Sequence, residues 1–233
     1  MAVVGDELRR AVIRRAVQVL LTASLWFVAF FLAAGTLSWR RVWWYAALSL
    51  VLLLVNFVWV MPRNPEVIAE RGRLHEGTKG FDKVFTVVFS LALLAAPVVA
   101  GLDAVRFGWS VLSEGWAGVG LVVVALGNLP ITWAMGENPH LETTVRIQEE
   151  RAHRVIDTGP YRLVRHPMYT GILLQQLAVP LVCGSLWAYL PAGLIVGALV
   201  VRTALEDRTL QAELPGYREF TTRTRYRLLP GLW

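Results

Sequence analysis

The residues best suited to chemistry form one unbroken stretch, Gly159-Pro160-Tyr161-Arg162-Leu163-Val164-Arg165-His166-Pro167-Met168-Tyr169-Thr170-Gly171. Downstream stand Arg202, the acidic pair Glu206-Asp207, Tyr217 and the tail Tyr226-Arg227-Leu228-Leu229-Pro230-Gly231. Arg165 and His166 can donate hydrogen bonds to a carboxylate. Tyr161 and Tyr169 offer ring faces and hydroxyls, and Glu206 can accept from hydroxyls or an amine. Pro167 stands where it can open a helix. Gly159 and Gly171 permit close backbone approach. Singly, each residue has an ordinary role: Arg162 and Arg165 as basic anchors, His166 as a cap, Arg202 and Glu206 as an i,i+4 surface pair worth ~0.3–0.5 kcal/mol. Tyr217 and Tyr226 would then pack at an interface. As a set, directly against apolar runs, they are costly to hold at a membrane boundary without a function.

The elements that must position them are apolar. The chain has 233 residues, 55% hydrophobic and 17% charged, with a mean hydropathy of +0.49. A soluble domain of this length needs more charge on its surface. Ala16–Leu37, Val42–Met61, Val84–Leu102 and Trp116–Met135 contain no Asp, Glu, Lys or Arg. Each is near the roughly 20 residues a helix needs to span the hydrocarbon core. The uncharged run Met168–Val201 would be about 50 Å long as one helix, against a core of about 30 Å. Gly184-Ser185 near its middle, flanked by Pro180 and Pro191, predicts a helical hairpin.

These elements predict an all-α polytopic transmembrane bundle of about six crossings, the last two as the hairpin, with a cytoplasmic C-terminal ligand-binding segment. One domain covers 1–233: four transmembrane helices in 1–135, then the motif, hairpin and C-terminal segment in 136–233. With both termini cytoplasmic, only Arg40, Arg41 and Arg106 of the 23 Lys and Arg face the other side, as the positive-inside rule requires. The net charge of +6 is thus topological, and no aromatic-interleaved basic patch points to nucleic acid. Trp39, Trp43, Trp44, Trp109, Trp116, Trp133 and Trp187 lie at or near run ends, as interfacial anchors do. No secretory signal is expected, because the first apolar run is too long and lacks a clear cleavage site.

Between the spans, Met61-Pro62-Arg63-Asn64-Pro65 should end a helix. Glu66–Arg73 suits a short amphipathic helix, and Gly77-Thr78-Lys79-Gly80 a turn. Thr143–Gln148 alternates like a strand that Arg154–Thr158 could pair with, through a turn near Glu150–Ala152. Pro215-Gly216 should break the last long helix before a short one at Tyr217–Phe220. Cys183 is the only cysteine, and His75, His140 and His153 have no metal-binding spacing, so no metal site is expected.

The pattern resembles the isoprenylcysteine carboxyl methyltransferase and phospholipid methyltransferase group of integral membrane methyltransferases, in its bacterial form. That family runs Gly-x-Tyr, Arg-His-Pro-x-Tyr-x-Gly, two acidic residues, then Tyr-x-x-Tyr. Tyr161, Arg165, His166, Pro167, Tyr169 and Gly171 match its first two parts; Glu206-Asp207 stands for Glu-Glu, and Tyr217 is followed by Phe220 instead of a second Tyr. The likeness spans roughly residues 120–233, including Asn138-Pro139-His140 through Arg146-Ile147-Gln148. It implies S-adenosylmethionine as cofactor, bound by Tyr161, Arg165, His166, Pro167, Tyr169, Gly171, Glu206 and Tyr217. It implies Arg202 and Glu206 as the catalytic pair handling the acceptor. The acceptor would be lipophilic (a carboxylate such as a prenylcysteine-like group, a thiol or an amine) and would enter from the lipid of a bacterial inner membrane.

Two other readings compete. Membrane sterol and steroid reductases using NADPH carry Arg-His-Pro-Asn-Tyr-x-Gly-Glu, whereas Met168 and Ile172 occupy the Asn and Glu places here. A non-enzymatic membrane protein is the other, although the spans hold few polar groups of the kind transport uses, Asn56 and Asn128 among them.

Overall fold

The computed structural model describes residues 5–72 and 78–233. The positions of His75 and Gly77, and the Arg73 end of the amphipathic helix expected from Glu66, lie outside the described residues. The chain forms eight α-helices among those described: α1 Asp6–Ala34, α2 Arg40–Val60, α3 Pro65–Glu70, α4 Gly80–Gly101, α5 Glu114–Glu137, α6 Pro167–Cys183, α7 Tyr189–Glu213 and α8 Tyr217–Arg223. Five of these, α1, α2, α4, α5 and α7, are long and apolar enough to cross a membrane, and α6 is a shorter apolar helix. At 17 residues, α6 is at the low end of what spans a hydrocarbon core. Leu25, Leu32, Val58, Leu91 and Leu129 stand exposed on the outer faces of the long helices. Such apolar faces need lipid, not water, as their solvent.

Local chemistry sets the boundaries. Asp6 and Glu7 lie in the first turn of α1, and Gly35, left-handed at φ 73°, closes it, the usual acidic start and glycine stop. The Met61–Pro65 segment ends α2, and Pro65 opens α3. The hairpin forms as its composition predicts: α6 ends at Gly184, left-handed at φ 76°, and α7 returns from Tyr189. Asp103, buried in the π-helical turn Leu102–Phe107 after α4, pins that hairpin turn. Its Oδ2 accepts from Ser110 (2.7 Å), Ser185 Oγ and the Trp187 amide (3.2 Å). Pro215-Gly216 separates α7 from α8, as expected.

The closest helix pair is α5 with α6. A Cβ on Gly171 would collide with the carbonyl of Gly127, and one on Gly120 would press on Val182. Small residues let membrane helices approach this closely. Gly171, on α6, therefore packs against α5. Asn56 and Asn128 also turn inward, both donating to Thr132 Oγ1 at 3.0 Å.

Two expectations need correction. No strand forms among the described residues. Segment 143–148 is irregular because its backbone groups bond to side chains elsewhere: the Val145 amide donates to Asp82 Oδ2 at 2.9 Å, and the Thr143 carbonyl accepts from Arg202 Nη2 at 2.8 Å. The turn near Glu150 does form, as a 3-10 helix at Glu149–Arg151. Trp39 is buried against Phe30, ring to ring at 5.8 Å, instead of anchoring at the interface. The other six tryptophans of that group are exposed.

Candidate functional site

Three segments converge at one end of the hairpin. Pro167 sets the first turn of α6, so His166 and Arg165 stand just before it. α7 brings Glu206 and Asp207 alongside. The C-terminal tail then lies against the motif: the Arg165 amide donates to the Tyr226 carbonyl and the His166 amide to the Arg227 carbonyl, both at 2.9 Å. Thr170 Oγ1 adds a bond to the Leu228 carbonyl at 2.6 Å.

Asp207, wholly buried, is the hub of this arrangement. Its Oδ1 accepts from the Tyr217 hydroxyl at 3.1 Å, and its Oδ2 accepts from Gln211 Nε2 at 2.8 Å and Arg227 Nε at 3.0 Å. Arg165 Nε lies 3.0 Å from Asp207 Oδ1 and His166 Nε2 lies 3.6 Å from it. Both nitrogens are buried and face this carboxylate as ion pairs, neither in strict hydrogen-bond geometry. Asp207 thus supplies charge to both Arg165 and His166. A buried carboxylate holds its charge at tolerable cost only when paired and bonded in this way.

Glu206 sits one residue away and one face over. Its Oε2 accepts from the Tyr169 hydroxyl at 2.7 Å, while its Oε1 is 3.9 Å from His166 Nδ1. The His166 and Tyr169 rings stack, 4° from parallel with centroids 5.5 Å apart.

These groups border a cavity of about 760 Å3, counted with its open mouth. Tyr161, Arg165, His166, Pro167, Tyr169, Glu206 and Tyr217 all line it, seven of the nine residues expected from the sequence. The opposite wall comes from Asn138, His140, Thr144, Gln148, His153 and Ile156, with Leu210, Leu214 and Phe220 as apolar lining. Phe220 meets Tyr217 edge to face at 5.4 Å, so a ring without a hydroxyl suits this place. Burial pushes the Tyr161 and Tyr217 phenols up, with Asp207 adding at Tyr217. Both stay protonated donors, and Asn138 Nδ2 donates to the Tyr161 oxygen at 3.0 Å.

Arg202 and Gly171 are the two that do not line the cavity. Arg202 is buried, its Nε 2.6 Å from Asp82 Oδ1, its guanidinium over the Phe85 ring at 4.5 Å and the Tyr169 ring at 5.2 Å. The i,i+4 pair with Glu206 does not form, because Asp82 on α4 takes the guanidinium.

The role of Asp207 is what sequence reasoning missed. The signal was present: a second carboxylate in an otherwise apolar helix must find partners. The wall residues Asn138, His140, Gln148 and His153 were also missed as a site, since nothing local in 136–158 shows that the segment folds over the motif.

The fold and the site together are an all-helical apolar bundle with a polar cavity at one end, bordered by the Arg-His-Pro motif. Residues 116–214, from the start of α5 to the end of α7, match the family model of phospholipid methyltransferase. Among solved structures, the eukaryotic intramembrane Ras methyltransferase, isoprenylcysteine carboxyl methyltransferase, is similar with a TM-score of 0.49 and 14% identity, over 87% of this chain and 72% of that one. No curated protein matches the sequence.

Proposed function

We propose that this protein transfers a methyl group from S-adenosylmethionine to a lipophilic acceptor at the inner membrane of a bacterium, with both termini cytoplasmic. The observation that carries this reading is the pair Arg165 and His166, buried against the Asp207 carboxylate, at a cavity that also holds Glu206 and an apolar wall. A ligand with a carboxylate, hydroxyls and a flat apolar ring meets all three surfaces, so the residues present fit this cofactor.

S-adenosylmethionine supplies a methyl group already activated on a cationic sulfonium. As it leaves, a bond forms to the acceptor atom, the sulfur–methyl bond breaks and its electron pair stays on sulfur. The protein's task is therefore positioning and exclusion of water. Arg165 and His166 hold the carboxylate end, with Asp207 fixing both from behind. Glu206, tied by Tyr169, keeps one oxygen for a ribose hydroxyl or the acceptor. Tyr161 and Tyr217 line the slot. Arg202 acts here as a positioning residue: with Asp82 it holds the Thr143 carbonyl and the Val145 amide, and so the stretch whose Thr144 and Val145 line the cavity.

The test is calorimetry on the detergent-purified protein with S-adenosylmethionine, S-adenosylhomocysteine and, in parallel, NADPH. Saturable binding of the first two, weakened tenfold or more in His166→Ala and Glu206→Ala, is expected. Binding of NADPH alone would replace this reading with the reductase one. A His166→Ala, Glu206→Ala double variant with wild-type cofactor affinity would remove the site assignment.

A further inference from the structure

The bundle also holds polar side chains far from the Arg-His-Pro motif. α1, α2, α5 and α6 enclose a space of about 870 Å3, counted with its open side. It shares no lining residue with the cavity at the motif. It lies halfway along the helices: Ser49 stands near the middle of α2 and Gln175 near the middle of α6. That is hydrocarbon depth, where a polar group without a function is costly.

Ser49, Asn56, Asn128 and Gln175 line this space nonetheless. Their amide nitrogens are tied to the protein. Asn56 and Asn128 each donate to Thr132 Oγ1 at 3.0 Å, and Gln175 Nε2 donates to the Val124 carbonyl at 3.3 Å. Each carboxamide oxygen carries two lone pairs, so what the space offers an occupant is acceptor capacity. None of its lining residues is charged. The facing wall is aromatic: Trp26, Phe27 and Tyr45 meet one another edge to face, with centroids 5.6, 5.8 and 5.3 Å apart. The Trp26 indole N–H donates to the Leu93 carbonyl at 2.8 Å, which holds that ring in place.

Helix cohesion explains only part of this set. Interhelical hydrogen bonds do join membrane helices, and Asn56 to Thr132 joins α2 to α5. Asn128, however, bonds to a residue of its own helix. Gln175 bonds to α5, which Gly127 and Gly171 already seat against α6.

We infer that this space is a binding site for a neutral, ring-bearing lipophile with a hydroxyl group, its ring on Trp26, Phe27 and Tyr45 and its hydroxyl donating to the carboxamides of Asn128 and Gln175. This ligand is distinct from the cofactor and from the methyl acceptor, and the inference does not depend on methyl transfer. Apolar walls with a few convergent polar groups are the usual make-up of a small-molecule site. A ring extends the edge-to-face cluster, and a hydroxyl is a donor without charge. A charged head would be buried here with no counter-charge.

The experiment uses the full chain in phosphatidylcholine nanodiscs and a 4-alkylphenol with a diazirine on its alkyl chain. Its methyl ether, with the same ring and no donor, is the control, and the matching 4-alkylbenzoate is the charged one. After irradiation, labelled peptides are mapped by mass spectrometry. The phenol should label the peptides holding Trp26, Ser49, Asn128 and Gln175 about fivefold more than the ether, the scale of one neutral hydrogen bond. The benzoate should label them no more than the ether. Asn128→Leu with Gln175→Leu should erase the preference for phenol over ether. Ser49→Phe keeps all three carboxamides and fills the space, so it should lower labelling by both probes. In the wild-type protein, excess unlabelled phenol should remove the signal and excess ether should not, a readout that needs no variant to fold. Equal labelling by phenol and ether would mean that the space holds water or lipid tails only and would overturn the inference. So would a preference that survives the double Leu variant. A double variant that melts early, with no phenol preference in the wild type, would reduce the amides to helix cohesion.

Discussion

Arg202 on α7 and Asp82 on α4 form a buried ion pair, Nε to Oδ1 at 2.6 Å, that also secures the wall of the candidate cavity. Asp82 is wholly buried and takes the Val145 amide on its other oxygen. Arg202 takes the Thr143 carbonyl. One pair thus ties two transmembrane helices to the loop that covers the motif. Removing one partner of such a pair leaves a buried charge alone, which costs about 3–5 kcal/mol. Arg202→Ala should therefore lower the thermal midpoint in detergent sharply. Asp82→Leu with Arg202→Met should recover a large part of it, because both charges leave together. A single variant as stable as wild type in a melt followed by intrinsic fluorescence would contradict this role.

Asp207→Asn keeps the shape but removes the charge that faces Arg165, His166 and Arg227. The charged hydrogen bond from Arg227 is of a kind that contributes about 1.5–3 kcal/mol, and the ion pair with Arg165 is lost with it. Cofactor affinity by calorimetry should drop at least tenfold. Tyr217→Phe removes only one 3.1 Å bond to the same carboxylate, and its effect should stay within about fivefold, since a neutral bond is worth about 1 kcal/mol. The reverse order of the two effects would move the centre of the site from Asp207 to Tyr217.

Gly171→Ala places a methyl group against the Gly127 carbonyl and Ile131. Both are backbone or packed side chain and cannot move aside cheaply. Overpacking of this kind costs about 1–3 kcal/mol. The variant should melt earlier, while the folded fraction binds cofactor with wild-type affinity. Wild-type stability combined with lost cofactor binding would return Gly171 to the ligand site.

His153 gives the site wall a pH dependence. Burial, then the charges of His140, Arg146 and Arg151, lower it to about 4, and burial lowers its stacking partner His140 as well. The rings lie 4.6 Å apart. A histidine depressed in the folded state takes up its proton more readily when unfolded. The stability it supports is complete above about pH 6.5, the ordinary value, and is lost as pH falls through about 4. Hydrogen exchange of 140–156 should accelerate across that window, and His153→Phe should flatten the dependence. Exchange that is slower at low pH than intrinsic chemistry predicts would reverse the sign and refute the buried neutral pair.

Much of this protein follows from order along the chain. Uncharged runs predict where helices lie, because a helix is the only open segment that satisfies its own backbone bonds in lipid. Gly184 with its flanking prolines marks the hairpin, and Pro215-Gly216 marks the break before α8, because these residues act on their own backbone. The motif at 159–171, with Glu206 and Tyr217, was recognisable since its members are close in sequence or recur at fixed spacing. What the tertiary structure decided are the partnerships between distant residues. Nothing local in Arg202 shows that Asp82 will take it away from Glu206, nor in Asp207 that it will gather Arg165, Tyr217 and Arg227. The alternation in 143–148 is strand-like by pattern, yet Asp82 and Arg202 compete successfully for its backbone groups. Gly171 reads as ligand contact in the motif and becomes a helix contact only because Gly127 stands opposite. Local rules set the elements; which buried charge or carbonyl faces which was set by packing, since that depends on every element at once.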